Sequence, residues 1–352
     1  MEGDYSKLKV AAVQASPVFL DREATVEKAC RLIRQVGSEG ADLAVFPESF
    51  IPAYPEWLRF YPYGHPVCTR MGKELFKNSV EIPGPDTDRL CQAAWEANTY
   101  VVMGLNERRR GMAGTLYNSM LFIGRDGTLL GSRQKLMPTQ TERLVHGLGD
   151  GAGLRTFPTE YGPLGGLMCC ENGNPLFRFA LVCQGEALHA ANWPAFAVPG
   201  RSRELQEAML IRMRNCAWEG QVFVISSAAM FTEEMADVLE VSREVRQKID
   251  SWGGKSAIIG PKGQYLAGPA DEGETILYAD IDLEEILDAR LNTDYTGHYG
   301  RFDVASLNLN QSPYRPVHYN SPVFQAARKT PPTGQSQGIA PTGNAGCENG
   351  QS

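Results

Sequence analysis

Nothing in the 352-residue chain approaches the ~20 consecutive apolar residues of a helical membrane span. There is no CxxC pair, no HxxxH and no HExxH, so the usual zinc frameworks are missing. Basic runs are missing too: 34 Lys and Arg stand against 41 Asp and Glu, a net charge of −7, which argues against nucleic acid or anionic membrane as a partner. The first residues, MEGDYSKLKV, lack a basic segment followed by an apolar one, so no signal peptide is expected. The eight cysteines are scattered, which does not read as a disulfide framework. A cytoplasmic protein with free thiols is the expectation. Of the five histidines, His65, His146, His189, His298 and His318, none sits in a recognisable base motif, and a papain-like Cys–His pair is hard to assemble. No repeat of solenoid period is present.

What is present is an alternation of two periodicities. LKVAAVQA (8–15) reads as a buried strand, and Asp21 as the N-cap of an amphipathic helix with Val26, Ala29, Cys30, Ile33 and Val36 on one face. Gly37 and Gly40 are expected to close that helix. DLAVFPE (42–48) reads as a strand, 86–99 as a helix and 100–107 as a strand. Residues 115–124 and 128–135 read as a hairpin across RDG. Strand and helix then alternate through 162–169, 175–185, 187–194, 201–220, 221–229, 255–261 and 275–282. Alternation with hairpins mixed in predicts an α/β layered domain with mixed sheets. The Gly-, Pro- and Ser-rich segment after Ala326, with Cys347 in it, cannot bury enough apolar area and is expected to be disordered.

Three groups could carry chemistry. Glu48 follows an apolar strand in VFPES, where open α/β sheets place functional residues; the bland alternative is a solvated loop acid. Lys135, in SRQKLMPTQTER, ends a hairpin strand, and Glu142 follows seven residues later; either could be plain surface charge. Third is the doublet Cys169–Cys170 in GGLMCCENGNP. Pro175 marks a helix start just beyond it, so the segment reads as a strand–turn–helix elbow that exposes a side chain. Two buried core cysteines would explain the doublet equally well. With no histidine base and no metal motif, the available activators of a thiol are carboxylates and a lysine.

Glu in FPE, Lys in RQKLMPT and Cys in GGLMCCEN, in that order, resemble the Glu-Lys-Cys triad of the nitrilase superfamily. The resemblance runs from about residue 8 to about residue 309. It takes in VAAVQASPVFLDREAT, GTLYNSMLFIGRDG, KLMPTQTERLVHGLGDG, AANWPAF and GHYGRFDVASLNLN. Glu171-Asn172 and Pro175 are similar to the nitrilase branch rather than to its amidase relatives. In the family the nucleophile lies two residues before the acid, which implies Cys169, and Cys170 then fills a position usually held by an aromatic residue. His146 stands where Trp is usual, and Phe302 where Pro is usual.

The resemblance implies a four-layer αββα sandwich with two mixed β-sheets. Residues 1–310 would form the catalytic domain, 311–325 an extension at an interface, and 326–352 a tail. It implies hydrolysis of a nitrile to the acid and ammonia, with Glu48 as general base, Cys169 as nucleophile, Lys135 as cation for the developing charge and Glu142 positioning Lys135. No metal or cofactor is called for. Tyr54, Cys170 and Trp193 are the candidate pocket residues. Self-association as a dimer and a higher oligomer or helical filament is expected, with 56–77 and 230–250 as inserted segments whose aromatic residues suit an interface. An aliphatic amidase or cyanide-hydrolysing relative, and a non-catalytic filament protein, are the competing readings. A redox-active vicinal dithiol at Cys169–Cys170 is disfavoured, because neighbouring side chains on a strand point to opposite faces.

Overall fold

The structure, a computed structural model, describes residues 7–111 and 114–314. The expected extension and tail therefore lie, from residue 315 onward, outside the described residues, as do His318 and Cys347.

Strands β1 (Lys7–Gln14), β2 (Leu43–Val45), β3 (Tyr100–Arg108), β4 (Leu116–Ile123), β5 (Leu129–Gln134) and β11 (Thr275–Asp282) form one sheet in the order β11-β1-β2-β3-β4-β5. Strands β6 (Leu164–Met168), β7 (Leu188–Trp193), β8 (Phe223–Ala228), β9 (Ala257–Ile259) and β10 (Tyr265–Ala267) form a second, in the order β10-β9-β8-β7-β6. Both are mixed. β1, β2 and β3 run parallel, with antiparallel β11 on one side and the β4–β5 hairpin on the other. β6, β7 and β8 run parallel, and β9 and β10 antiparallel.

The period-2 alternation of the first sheet decides the layers. Ala11, Val13, Ala44, Val101 and Met103 pack under helices α1 (Arg22–Ser38) and α3 (Pro85–Ala97). Their neighbours Val10, Ala12, Leu43, Val45 and Val102 face the other way, onto Met168, Leu188, Ala190, Phe223 and Ile225 of the second sheet. The far face of that sheet, with Ala191, Trp193, Val224 and Ile259, is covered by Met209, Met213 and Cys216 of helix α5 (Ser202–Gly220). Helix, sheet, sheet, helix is the four-layer sandwich expected above.

Smaller helices complete the chain: α2 (Pro66–Lys77), α4 (Pro175–Val182), α6 (Glu233–Val238), α7 (Arg243–Arg246) and α8 (Glu284–Arg290). Asp21 caps α1 as its sequence predicts, accepting from Ala24 N at 2.9 Å. Gly37 does not end that helix, which runs through Ser38. Its role is clearance: a Cβ there would meet the backbone of Ala97 in α3 at 2.6–2.8 Å.

The expected inserted segments pack mainly on each other. Trp57, Val67, Met71, Phe231, Met235 and Leu239 form a satellite core, and Tyr61 donates to the Leu239 carbonyl at 2.6 Å. Their aromatic content is thus spent largely inside the protomer rather than on an interface; Tyr63 is the exception that stays exposed.

Candidate active site

The carboxyl ends of β2, β6 and β7 lead to Glu48, Cys169 and Trp193, and the end of β5 leads to Lys135 and Glu142. Past β2 the chain turns sharply at Ser49, whose φ is +50°. The loop lies against Gly104 of β3, where any Cβ would collide with the Pro47 carbonyl. Glu48 N donates to the Trp193 carbonyl at the end of β7 at 3.3 Å, so this loop joins the two sheets.

Glu48, Lys135 and Glu142 meet in one cluster, all fully or almost fully buried. Lys135 follows β5, and its Nζ lies 2.6 Å from Glu48 Oε1 and 2.7 Å from Glu142 Oε2. Asn118 of β4 donates to both carboxylates, at 2.6 Å to Glu48 and 2.8 Å to Glu142. Glu142 also accepts from Thr139 N at 2.8 Å, has His146 Nδ1 at 3.0 Å, and receives a long hydrogen bond of 3.4 Å from the Tyr54 hydroxyl. Glu142 is therefore surrounded by donors. Glu48 is not: its Oε2 is buried without a hydrogen-bond partner among the described residues.

The two carboxyls titrate apart for that reason. Burial pushes Glu48 up to about 7; Glu142 adds to the rise, and Lys135 opposes it. Glu142 is held below the usual carboxylate range, because Lys135 and His146 outweigh its burial. Burial works against the Lys135 charge, yet the flanking glutamates hold its pKa well above normal. The cluster thus contains a fixed cation, a fixed anion and a carboxyl poised near neutrality, which suits a general base.

Cys169 follows β6 directly, opening a single 3-10 turn, Cys169–Gly173, before α4. Its φ of +50° is a left-handed conformation that non-glycine residues avoid. Among the nine described non-glycine residues with positive φ, Ser49, Gln140, Cys169 and Phe196 all flank the candidate residues, and such strain concentrates at functional sites. The turn is braced from below. Glu171 accepts both guanidinium arms of the buried Arg133, at 2.8 and 3.0 Å, and also Leu136 N and Met168 N. Asn172 donates to the Cys169 and Leu167 carbonyls, and its own carbonyl oxygen lies 2.8 Å from His189 Nε2. The acid of the motif is thus a strut that ties the hairpin bearing Lys135 to the turn bearing Cys169.

Cys169 is buried and Cys170 exposed. The alternation assumed for the doublet fails, because β6 ends at Met168 and the next residues are in a tight turn. The sulfurs lie 3.8 Å apart, with Cys169 donating. That contact raises Cys169, as burial and Glu48 do, while Lys135 lowers it. It lowers Cys170 to about 6, where Arg212 and Lys135 help against burial.

Tyr54 is half-buried and reaches Glu142, so it belongs to the cluster's wall. Trp193 is fully buried, at the end of β7 with its ring against Phe196. Sequence reasoning missed Asn118, Arg133 and Arg59. The Arg59 guanidinium lies 4.9 Å from the centre of the Tyr54 ring and pairs with Glu56 at 2.7 Å. Asn118 and Arg133 meet partners far along the chain, whereas Arg59 sits in a short 3-10 helix close to its own, and only the polar residue inside the apolar run of β4 hinted at Asn118. His146, noted as a departure, is a member of the site through Glu142, and its Nε2 lies 2.7 Å from Asn106 Oδ1.

The family profile described as carbon-nitrogen hydrolase matches residues 9–291. An aliphatic nitrilase of Rhodococcus rhodochrous is 38% identical over 88% of this chain and 84% of its own. Nitrilase 2 of Arabidopsis thaliana is 37% identical over 91% of this chain and 93% of its own. Two solved structures have a similar fold, each with a TM-score of 0.66 over 85% of this chain. The carbon-nitrogen hydrolase of Helicobacter pylori G27, 20% identical, is covered over 97% of its length. Saccharomyces cerevisiae Nit3, a branch 10 member of the nitrilase superfamily and 21% identical, is covered over 99%.

Proposed function

This chain belongs to the carbon-nitrogen hydrolase family, in its nitrilase branch, and we propose that it hydrolyses an organic nitrile to the carboxylic acid and ammonia through a covalent Cys169 intermediate. The observation that carries the reading is the buried Glu48–Lys135–Glu142 cluster, whose one unpartnered oxygen is Glu48 Oε2.

Glu48 takes the Cys169 proton, and the thiolate attacks the nitrile carbon. Glu48 returns that proton to the nitrile nitrogen as one C–N π bond opens, and a thioimidate forms. Water adds across C=N, with Glu48 again as base, to give a tetrahedral carbon bearing S, OH and NH2. Glu48 takes the proton of that OH and passes one to the NH2 group; the C–N bond breaks, ammonia leaves, the C=O forms and a thioester remains. A second water cleaves it, returning the Cys169 thiol and the acid; two waters are consumed per nitrile. Lys135 holds positive charge beside the carbon that changes, where losing one such donor lowers the rate by about 10²–10³. Glu142 fixes Lys135 rather than exchanging protons, since its own donors keep it ionised. Tyr54 and Cys170 line the approach, and Arg59 is a further candidate through Tyr54. Assembly into a dimer or a filament is part of the same proposal.

The test is ammonia release from a panel of nitriles, amides and cyanide. Wild type is expected to release ammonia from nitriles and Cys169→Ala to release none while keeping its melting temperature. Turnover of amides alone would move the chain to amidase chemistry. Survival of activity in Cys169→Ala with loss in Cys170→Ala would transfer the nucleophile to the neighbouring thiol.

A further inference from the structure

We propose that Cys169 and Cys170 form a vicinal dithiol that hydrogen peroxide converts reversibly to a disulfide, making this pair an oxidative modification site at the candidate active centre. The inference starts from position. Left-handed backbone at Cys169 and the 3-10 turn that follows bring the two side chains onto the same side, with 3.8 Å between the sulfurs. Cys170 is exposed and Cys169 lies beneath it, so an oxidant arriving from solvent meets Cys170 first. The S–H of Cys169 points at Cys170, and the cations Arg212 and Lys135 act on the outer sulfur, which favours its thiolate. An accessible thiolate with a second thiol in contact is the arrangement in which a sulfenic acid is captured before it oxidises further.

The Cys170 thiolate attacks one peroxide oxygen; the O–O bond breaks, hydroxide departs and Cys170 becomes a sulfenic acid. Cys169 then loses its proton and attacks the Cys170 sulfur. The S–S bond forms, the S–O bond breaks, and water leaves. In sum, two thiols and one peroxide give one disulfide and two waters. Two electrons pass from the sulfurs to the peroxide. Adjacent Cα atoms are about 3.8 Å apart, short of the usual range of about 4.4–6.8 Å for a disulfide, so this bond is strained. Strained, exposed disulfides are the readily reduced ones, and an external dithiol returns the pair to its starting state.

The effect on turnover rests on the reading of Cys169 as the nucleophile; the chemistry of the pair does not. The test therefore follows mass and rate together in the full-length enzyme treated with hydrogen peroxide. Wild type is expected to lose about 2 Da, the mass of two hydrogens, within the single peptide that holds both cysteines, and to regain its thiols and its starting rate with dithiothreitol. Cys170→Ser is expected to gain oxygen on Cys169 and to recover none of its own starting rate with dithiothreitol. Oxygen addition in wild type without the 2 Da species overturns the proposal. So does equal recovery of rate in wild type and Cys170→Ser. If the 2 Da species appears and reverses in an enzyme that hydrolyses no nitrile, the modification stands and the proposed function falls.

Discussion

Arg133 and Lys135 leave the same hairpin two residues apart, and each is buried against glutamate, yet the two clusters are balanced differently. Arg133 and Glu171 pair one to one through two parallel hydrogen bonds, and two backbone N–H groups complete the carboxylate. Lys135 faces two carboxylates, and one oxygen of Glu48 is left without a partner. The first arrangement sets one cation against one anion and gives both carboxylate oxygens partners, although Arg133 Nε is buried without one among the described residues. The second holds an excess of negative charge out of water, and the excess shows as the raised pKa of Glu48. Balanced charge builds a scaffold, and unbalanced charge is left for chemistry.

The contrast can be broken at either cluster. Glu48→Gln is expected to lower kcat/KM by about 10²–10⁴, the range for a lost general base, while the melting temperature holds or rises, because the excess charge is gone. A fall in both would make Glu48 part of the scaffold. Arg133→Met is expected to do the reverse and destabilise the fold by about 3–5 kcal/mol in urea unfolding, since it strands Glu171. The double variant Arg133→Met/Glu171→Gln should regain part of that loss, because no charge is then stranded, although the single amide oxygen can accept from only one of the Leu136 and Met168 N–H groups, which bind different oxygens of Glu171.

A pH profile sharpens the difference. Glu48 must be ionised to act as base, so kcat/KM should fall as pH drops through about 7. Stability should move the opposite way. Between the ordinary value of 4.5 and about 7 the folded state keeps a proton that the unfolded chain has lost, so the contribution of Glu48 declines as pH rises across that window. Glu142→Gln removes the like charge and should shift the acidic limb of the rate profile to lower pH. An unmoved limb would mean that burial alone sets it. The smallest effect is expected at Tyr54→Phe. Its hydrogen bond to Glu142 is 3.4 Å long, so kcat/KM should change by less than about tenfold.

Local chemistry was legible in the sequence: the Asp21 cap, the β4–β5 hairpin and the turn that begins at Cys169 all announce themselves within a few residues. So did the family, through separated motifs in one order. Partners were not legible. Asn118 touches Glu48 across 70 positions and Arg133 touches Glu171 across 38, and periodicity tells which face a residue takes but not whom it meets there. The doublet departs from strand alternation for a related reason. The strand ends one residue before Cys169, and in the turn that follows alternation no longer holds. The aromatic residues of 56–77 suggested a surface because the second segment that buries them, 230–250, lies far along the chain.

The Arg133–Glu171 strut has a consequence for how the molecule comes apart. It fastens a hairpin of the first sheet to the turn that ends a strand of the second, and the Glu48–Trp193 backbone contact fastens the sheets again at the same edge. Both contacts join the sheets beside the candidate residues, so parting the sheets at this edge breaks them and displaces those residues. Loss of the site on heating is therefore expected to track loss of contact between the sheets at this edge, so that activity and the inter-sheet packing fall together.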